Sequence, residues 1–400
     1  MRHDEGCAGQ GPGAHQTEKQ SEARKLVSST LRVGILGAGG IANVHARGWS
    51  AYPGKASIAA FSDVATERAQ AMSDLYTGGS AKVYDSIDAV VTDAEIDVID
   101  ICLPHHLHTD AVIKAANAGK AILCEKPLCT TLGDGVLIRD TLNATGAVFM
   151  GAHNNLFTPA LLEARRLIES GAIGTPFMYR SIETFQSRSF DPWTSGGAAA
   201  GGGQKGWRAN LTQAGGGELL DTGYHGTYRL LSMAAGDRPV EVTGFLSRFL
   251  LSHLPTEDTG HVIVRFESGA VGQIITSWAF DVVDSRQFEV EAEYGALAGS
   301  QTFLKHQLYR WPSAAEMTFP KPETFTLEIG HFIDIVQNGA PNAAPIDDTI
   351  RTLQVIKAAY LSAQIGATVS LPEDPAGAPV ARTEAFKTAF SVEVPDEVLA

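Results

Sequence analysis

Residues Val33–Ala42 read VGILGAGGIA, an apolar strand running straight into G-x-G-x-x-A and a helix-compatible stretch. The pattern predicts a dinucleotide-binding turn. Gly37 permits the tight turn, Gly39 lets backbone N–H groups approach a pyrophosphate, and the small Ala42 lets the helix pack close to the strand. Gly40 and Ile41 open that helix, whose N-terminal dipole favours negative charge. A second strand, Ser57–Ser62, ends at Asp63, where an acidic residue should meet the adenosine ribose hydroxyls. A carboxylate there accepts hydrogen bonds from a free 2′-hydroxyl and repels a 2′-phosphate, and no Arg immediately follows, so the pattern favours NAD over NADP. The alternative is that Asp63 caps the helix beginning near Thr66.

The chain has 400 residues, 44% of them hydrophobic, enough for two domains with substantial cores. Its net charge of −14 argues against nonspecific binding to nucleic acid or anionic membranes, which requires an excess of Lys and Arg. The four cysteines, Cys7, Cys102, Cys124 and Cys129, lack paired metal-ligand spacing, and Cys102 and Cys124 sit in apolar runs. A reducing cytoplasm fits this usage, and no run of about 18 apolar residues suggests a membrane span. Residues 1–29 contain no apolar signal core and read as a polar extension. Residues 30–152 read as the NAD-binding domain, 153–372 as a substrate-binding and oligomerisation domain, and 373–400 as a tail that docks or stays loose.

Further strands are expected at Val98–Cys102, Ala121–Cys124 and Ala147–Met150, with helices near Thr109–Ala118 and Thr131–Ala144. Such alternation closes as a doubly wound parallel sheet, whose ligands collect at the carboxyl ends of the strands. Three polar clusters lie at those ends: Pro104-His105-His106-Leu107-His108, Glu125-Lys126-Pro127 and His153-Asn154-Asn155.

The run Asp97–Leu128, DVIDICLPHHLHTDAVIKAANAGKAILCEKPL, closely resembles the cofactor domain of the glucose-fructose oxidoreductase / inositol dehydrogenase (Gfo/Idh/MocA) family, whose hallmark is Glu-Lys-Pro. Met150–Pro176 resembles that family's crossover into its second domain, and Gly215–His225, GGGELLDTGYH, its substrate-site motif. Glu257–Trp278 is similar to a family hairpin and Glu328–Gly339 to a late helix. The resemblance implies an α/β fold: an N-terminal Rossmann domain, then an α+β domain on a large, open, mainly antiparallel sheet. It also implies a homodimer or homotetramer through the open sheet face. The sequence agrees on the sheet, since Phe288–Glu293 alternates apolar and charged residues.

By the same resemblance Lys126, Asp221 and His225 form the catalytic group. A fixed ammonium at Lys126 stabilises charge developing on a substrate oxygen during hydride transfer. Asp221 and His225 stand four apart in ELLDTGYHGTYRLL, so one helix would place them on one face. His225 is the expected base, with Asp221 binding substrate or orienting it. Leu103, Pro104, His108, Glu125, Lys126 and Asn154 are assigned to the cofactor pocket, Lys126 and Asn154 with a second role toward substrate. Many relatives carry Arg where this chain has Asn155. His105 and His106 are read as loop residues, and no metal is expected.

The segment Phe185–Arg208, FQSRSFDPWTSGGAAAGGGQKGWR, surrounds a Gly/Ala-rich loop with polar and aromatic side chains. Arg188, Trp193, Lys205, Trp207 and Arg208 are candidate substrate contacts, since indole faces stack on sugars and cations pair with anionic substituents. The leading expectation is an NAD-dependent dehydrogenase acting on a secondary hydroxyl of a sugar, sugar derivative or cyclitol. Two alternatives stay open: a redox-neutral NAD-dependent glycosidase, and a dinucleotide-dependent sensor without turnover.

Overall fold

The computed structural model describes residues 30–185, 207–234, 236–252 and 254–381. The first part builds β1 (Leu31–Leu36), α1 (Gly40–Ser50), β2 (Ala56–Ser62), α2 (Thr66–Thr77), β3 (Lys82–Tyr84), α3 (Ile87–Val91), β4 (Val98–Ile101), α4 (His108–Asn117), β5 (Ala121–Glu125), α5 (Leu132–Thr145) and β6 (Phe149–Ala152). Its six strands form one parallel sheet in the order β3-β2-β1-β4-β5-β6. Order reverses between β1 and β4, the switch point at which a doubly wound sheet opens its ligand crevice. Every residue of β4 and β5 is buried, Asp100 and Glu125 among them, as strands covered on both faces must be.

Helix α6 (Pro159–Glu169) leads into the second part, with β7 (Pro176–Thr184), α7 (Leu211–Ala214), α8 (Glu218–Asp221), α9 (Gly223–Met233), β8 (Pro239–Ser247), β9 (Thr259–Phe266), β10 (Val271–Ser277), β11 (Phe288–Ala292), β12 (Gly295–Gly299), β13 (Phe303–Leu308) and β14 (Ala315–Thr318). Then come α10 (Thr324–Asn338), α11 (Ile346–Ile365), β15 (Val369–Ser370) and β16 (Val380–Ala381). The ten strands run β14-β13-β12-β11-β7-β10-β9-β8-β15-β16, antiparallel except where β7 pairs with β10. Strand β11 shows the expected alternation, with Phe288, Val290 and Ala292 buried and Glu289 and Glu291 on the other face. The open face carries Met178, Ile182, Ile263, Val271 and Ile275 in adjacent registers, all half-buried.

The chain after residue 372 docks as far as it is described. Arg139 pairs with Asp374 and β16 extends the sheet beside β15. Helix α10 returns from the second part to cover α1. Trp49 meets Phe332 edge-on at 6.2 Å, Tyr52 donates to the Thr326 carbonyl at 2.8 Å, and a Cβ at Gly48 would stand 2.5 Å from Ile329. A side chain there would displace the tip of Ile329. No helix among the described residues is long and apolar enough to cross a membrane.

Candidate active site

The turn after β1 is built as its glycines require. Gly37 has φ +96, and a side chain there would strike the Cys102 carbonyl. A Cβ at Gly39 or Gly40 would meet nothing within 4 Å. No side chain caps α1. Its first N–H groups therefore have no side-chain acceptor at the mouth of the cleft, an arrangement suited to phosphate.

The Asp63 carboxylate accepts from the backbone N–H groups of Ala38 and Ala65, both at 2.9 Å. Helix α2 shows no side-chain cap bond, so Asp63 organises the turn and is not the cap of α2. Gly37, Gly39, Gly40, Ile41, Asp63, Leu103, Pro104, Glu125, Lys126, Trp207, Arg208 and His225 line one cleft of about 530 Å³, together with Arg68, His105 and Phe325. These residues fit a dinucleotide: a bare backbone cradle, a helix N-terminus and a carboxylate past the second strand.

Lys126 stands at the end of β5, before a cis peptide bond to Pro127. Its Nζ donates to the carbonyl oxygen of Asp221 at 2.7 Å and to Oδ1 at 3.0 Å. Arg208 donates from Nε to Oδ2 of the same carboxylate at 2.6 Å. Burial disfavours the Asp221 carboxylate, but Arg208 and Lys126 outweigh it and hold the pKa well below the usual range. Asp221 is thus a buried anion fixing two cations at the cleft wall.

The single helix read through Asp221 and His225 is two pieces. Lys126 takes the Asp221 carbonyl, and the His225 N–H turns instead to the Thr222 carbonyl at 3.0 Å. The two side chains share no hydrogen bond. His225 Nδ1 lies 2.7 Å from the Tyr228 hydroxyl. Burial first, then Lys126 and Arg229, holds the imidazole pKa well below 6.5, with Asp221 opposing. The ring is a neutral group beside a fixed ammonium.

The other candidates separate in space. His108 is fully buried between the carbonyl oxygens of Leu103 and Pro127, 2.8 Å from each, and fixes the two loops instead of facing the cleft. Asn154 is buried and donates to Thr324 Oγ1 at 2.9 Å, behind the cleft wall. Trp207 packs on His105 at 4.4 Å and carries the Arg208 guanidinium over its ring at 4.3 Å. Arg188, Trp193 and Lys205 lie outside the described residues. His105, read from sequence as a loop residue, is buried, bonds the Ala214 carbonyl at 2.9 Å and lies 4.0 Å from Asp221.

Beneath Lys126 lies a cluster the sequence reading passed over. His45 on α1 joins Asp100 of β4 to Glu125, and Trp49 Nε1 donates to Asp100 at 2.7 Å. Glu328 of α10 lies beside them, fully buried, with neither carboxyl oxygen bonded. Burial, reinforced by Glu125 and Asp100 against His45, pushes its pKa well above 4.5. Asp100 was the available signal, a charge inside the apolar run Val98–Cys102. His45, Asp100 and Cys102 also have ligand atoms within 4.8 Å of one another. Both His45 nitrogens, however, already face carboxylates.

A family model described as "Oxidoreductase family, NAD-binding Rossmann fold" matches residues 31–153, and the GFO/IDH/MocA C-terminal domain matches residues 161–298. The chain belongs to the Gfo/Idh/MocA family. As a member it is an NAD-dependent oxidoreductase with the two-part architecture described above. This Gfo/Idh/MocA chain is 28% identical over 346 residues to inositol 2-dehydrogenase of Rhizobium meliloti, covering 83% of this chain and 97% of the relative. It is 27% identical over 354 residues to scyllo-inositol 2-dehydrogenase (NAD(+)) of Bacillus subtilis, covering 85% and 96%. In fold it is similar to levoglucosan dehydrogenase solved with NADH and levoglucosan, at TM-score 0.76, 23% identity, and 86% and 100% coverage.

Proposed function

We propose that this enzyme oxidises a secondary hydroxyl on a sugar, sugar derivative or cyclitol, with Lys126, Asp221 and His225 as the catalytic group. The observation that carries the reading is the placement of Lys126 and His225 on the cleft that begins at the Gly37–Gly40 turn. Relatives named for inositol and scyllo-inositol dehydrogenation support the substrate class.

NAD, when bound, supplies the acceptor for the hydride. Gly37, Gly39, Gly40, Ile41 and Asp63 hold it, and Asp63 favours a free 2′-hydroxyl. His225, neutral at the working pH, takes the hydroxyl proton on the ring nitrogen not bonded to Tyr228. Lys126 donates to the same oxygen as negative charge grows there. Asp221 holds the ammonium in place through Oδ1 and its carbonyl, and Arg208 balances the remaining carboxylate oxygen. Trp207 and Arg208 form the wall that a sugar ring would meet.

Absorbance at the NADH band, paired with product mass, tests this on a panel of sugars, inositols, anionic sugars and glycosides. Stoichiometric NADH with a product two hydrogens lighter supports the dehydrogenase reading. Glycoside cleavage that requires NAD without net NADH would overturn it.

The half-buried apolar rows on the open sheet face support assembly as a homodimer or homotetramer through that face. Light scattering, repeated with Ile263→Glu, tests the assignment by loss of the oligomer.

A further inference from the structure

Among the described residues, the hydrogen-bond partner of His225's side chain is Tyr228, whose hydroxyl lies 2.7 Å from Nδ1. No carboxylate bonds the ring. Asp221 gives its oxygens to Lys126 and Arg208, and the adjacent Arg229 pairs with Glu183. Tyr228 is itself fixed. Its ring is buried and stacked on His153, with centroids 4.3 Å apart and planes 3° from parallel. Its oxygen accepts the Asn155 backbone N–H at 3.2 Å. A phenol has one proton and two lone pairs to offer. With one lone pair engaged by Asn155, it can accept Nδ1–H, leaving Nε2 as a free base and its own O–H with no acceptor among the described residues, or donate to Nδ1, leaving Nε2 protonated.

We propose that Tyr228 is the positioning residue of the catalytic base, accepting Nδ1–H from His225 so that Nε2 is the unprotonated nitrogen offered to the substrate. The inference rests on His225 being the base, and it assigns the orienting task to a phenol instead of a carboxylate. In oxidation the substrate O–H bond breaks, its proton goes to Nε2, and Nδ1–H stays hydrogen-bonded to Tyr228. In the reverse direction the Nε2 proton returns to the oxygen as the carbonyl is reduced.

The charged and titratable groups around the ring come from four elements. Lys126 follows β5, Arg229 lies on α9 and His153 follows β6, and all three disfavour a charged His225, whereas Asp221 at the end of α8 favours one. Burial and then Lys126 push His153 itself down to about 3, so it stays neutral. A phenol partner adds no negative charge to this balance. The ring therefore remains ready to take a proton across the neutral range, and the imidazolium it forms is a strong acid for the return step.

The test compares the full-length wild type with Tyr228→Phe and Tyr228→Asp. Phe keeps the ring on His153 and removes the acceptor, so kcat should fall about 10- to 100-fold while both KM values change less than about 3-fold. Asp supplies a carboxylate, so the acid limb of kcat/KM should move up by about one pH unit or more. A readout independent of turnover is the nitrogen chemical shifts of ¹⁵N-labelled His225 with NAD bound: Nδ1–H in the wild type, and a changed tautomer balance in Tyr228→Phe. Unaltered kcat and pH profile in the Phe variant would overturn the proposal. So would an Nε2–H tautomer in the wild type, a result that stands even if a variant fails to fold. Full turnover in His225→Ala would instead overturn the assignment of the base, leaving the nitrogen shifts to decide the Tyr228 contact separately.

Discussion

His45 Nε2 lies 3.0 Å from Glu125 Oε1 while Nδ1 of the same ring lies 3.0 Å from both oxygens of Asp100. Ionised carboxylates only accept, so an imidazole held this way donates from both nitrogens and carries a charge. Burial opposes that charge, but Asp100 prevails and the pKa stands well above 6.5. The other Glu125 oxygen accepts the backbone N–H of Lys126 at 2.9 Å. A helix of the nucleotide-binding part thus sets the strand end from which Lys126 projects.

His45→Ala should therefore remove more than a packing contact. It leaves Asp100 and Glu125 buried without their shared cation, a loss of about 3–5 kcal/mol for a broken buried pair. Urea denaturation at pH 7 measures it, and a change below about 1 kcal/mol would contradict the charged bridge.

Glu328 gives a pH test. A carboxyl whose folded pKa is raised contributes stability fully present below its unfolded value near 4.3, and loses it as pH rises through the folded pKa. His45, also raised, acts in the same direction, with its contribution complete below about 6.5. The wild type should lose stability from pH 6 to pH 9. Glu328→Gln removes one of the two titrations, so its urea midpoint should fall less over that range. Parallel curves for the two proteins would show that Glu328 does not titrate over that range and overturn the prediction.

Lys126→Ala removes the ammonium and leaves Asp221 with Arg208 alone. Turnover should drop about 10²- to 10³-fold, the scale for losing one preorganised donor to a developing oxyanion. NAD titration by fluorescence should still show binding, because the glycine turn and Asp63 are untouched. Unchanged turnover would remove Lys126 from the catalytic group.

Asp63→Ser should shift cofactor choice. The wild type is expected to favour NAD in kcat/KM, and the variant should lose at least about tenfold of that preference, or about 1.4 kcal/mol. Steady-state kinetics with both cofactors decides it. An unchanged ratio would place selection elsewhere along the cleft, Arg68 being the next side chain to vary.

The fold was legible where a local pattern suffices. Continuous apolar runs gave β4 and β5, G-x-G-x-x-A gave the turn, and alternation gave β11, because burial on two faces or one imposes those periods. Three-residue β3 is too short to leave such a pattern. Of the motif-borne candidates, Lys126 and His225 line one cleft and Asp221 is bonded to Lys126, so their proximity at least was legible. What was missed depends on distant partners: His45 meets Asp100 across 55 positions and Glu125 across 80. The division between α8 and α9 was hidden for the same reason, since the group that claims the Asp221 carbonyl is 95 residues upstream.

The return of α10 onto α1 also bears on how the protein is made and recombined. Trp49 and Gly48 emerge early in synthesis, yet the side chains that pack on them, Phe332 and Ile329 respectively, emerge nearly three hundred residues later. Until then the newborn nucleotide-binding half exposes an apolar flank that invites chaperones or self-association. A chimera that exchanges residues 31–153 between relatives must carry a matching α10 with it, or that flank will meet a stranger.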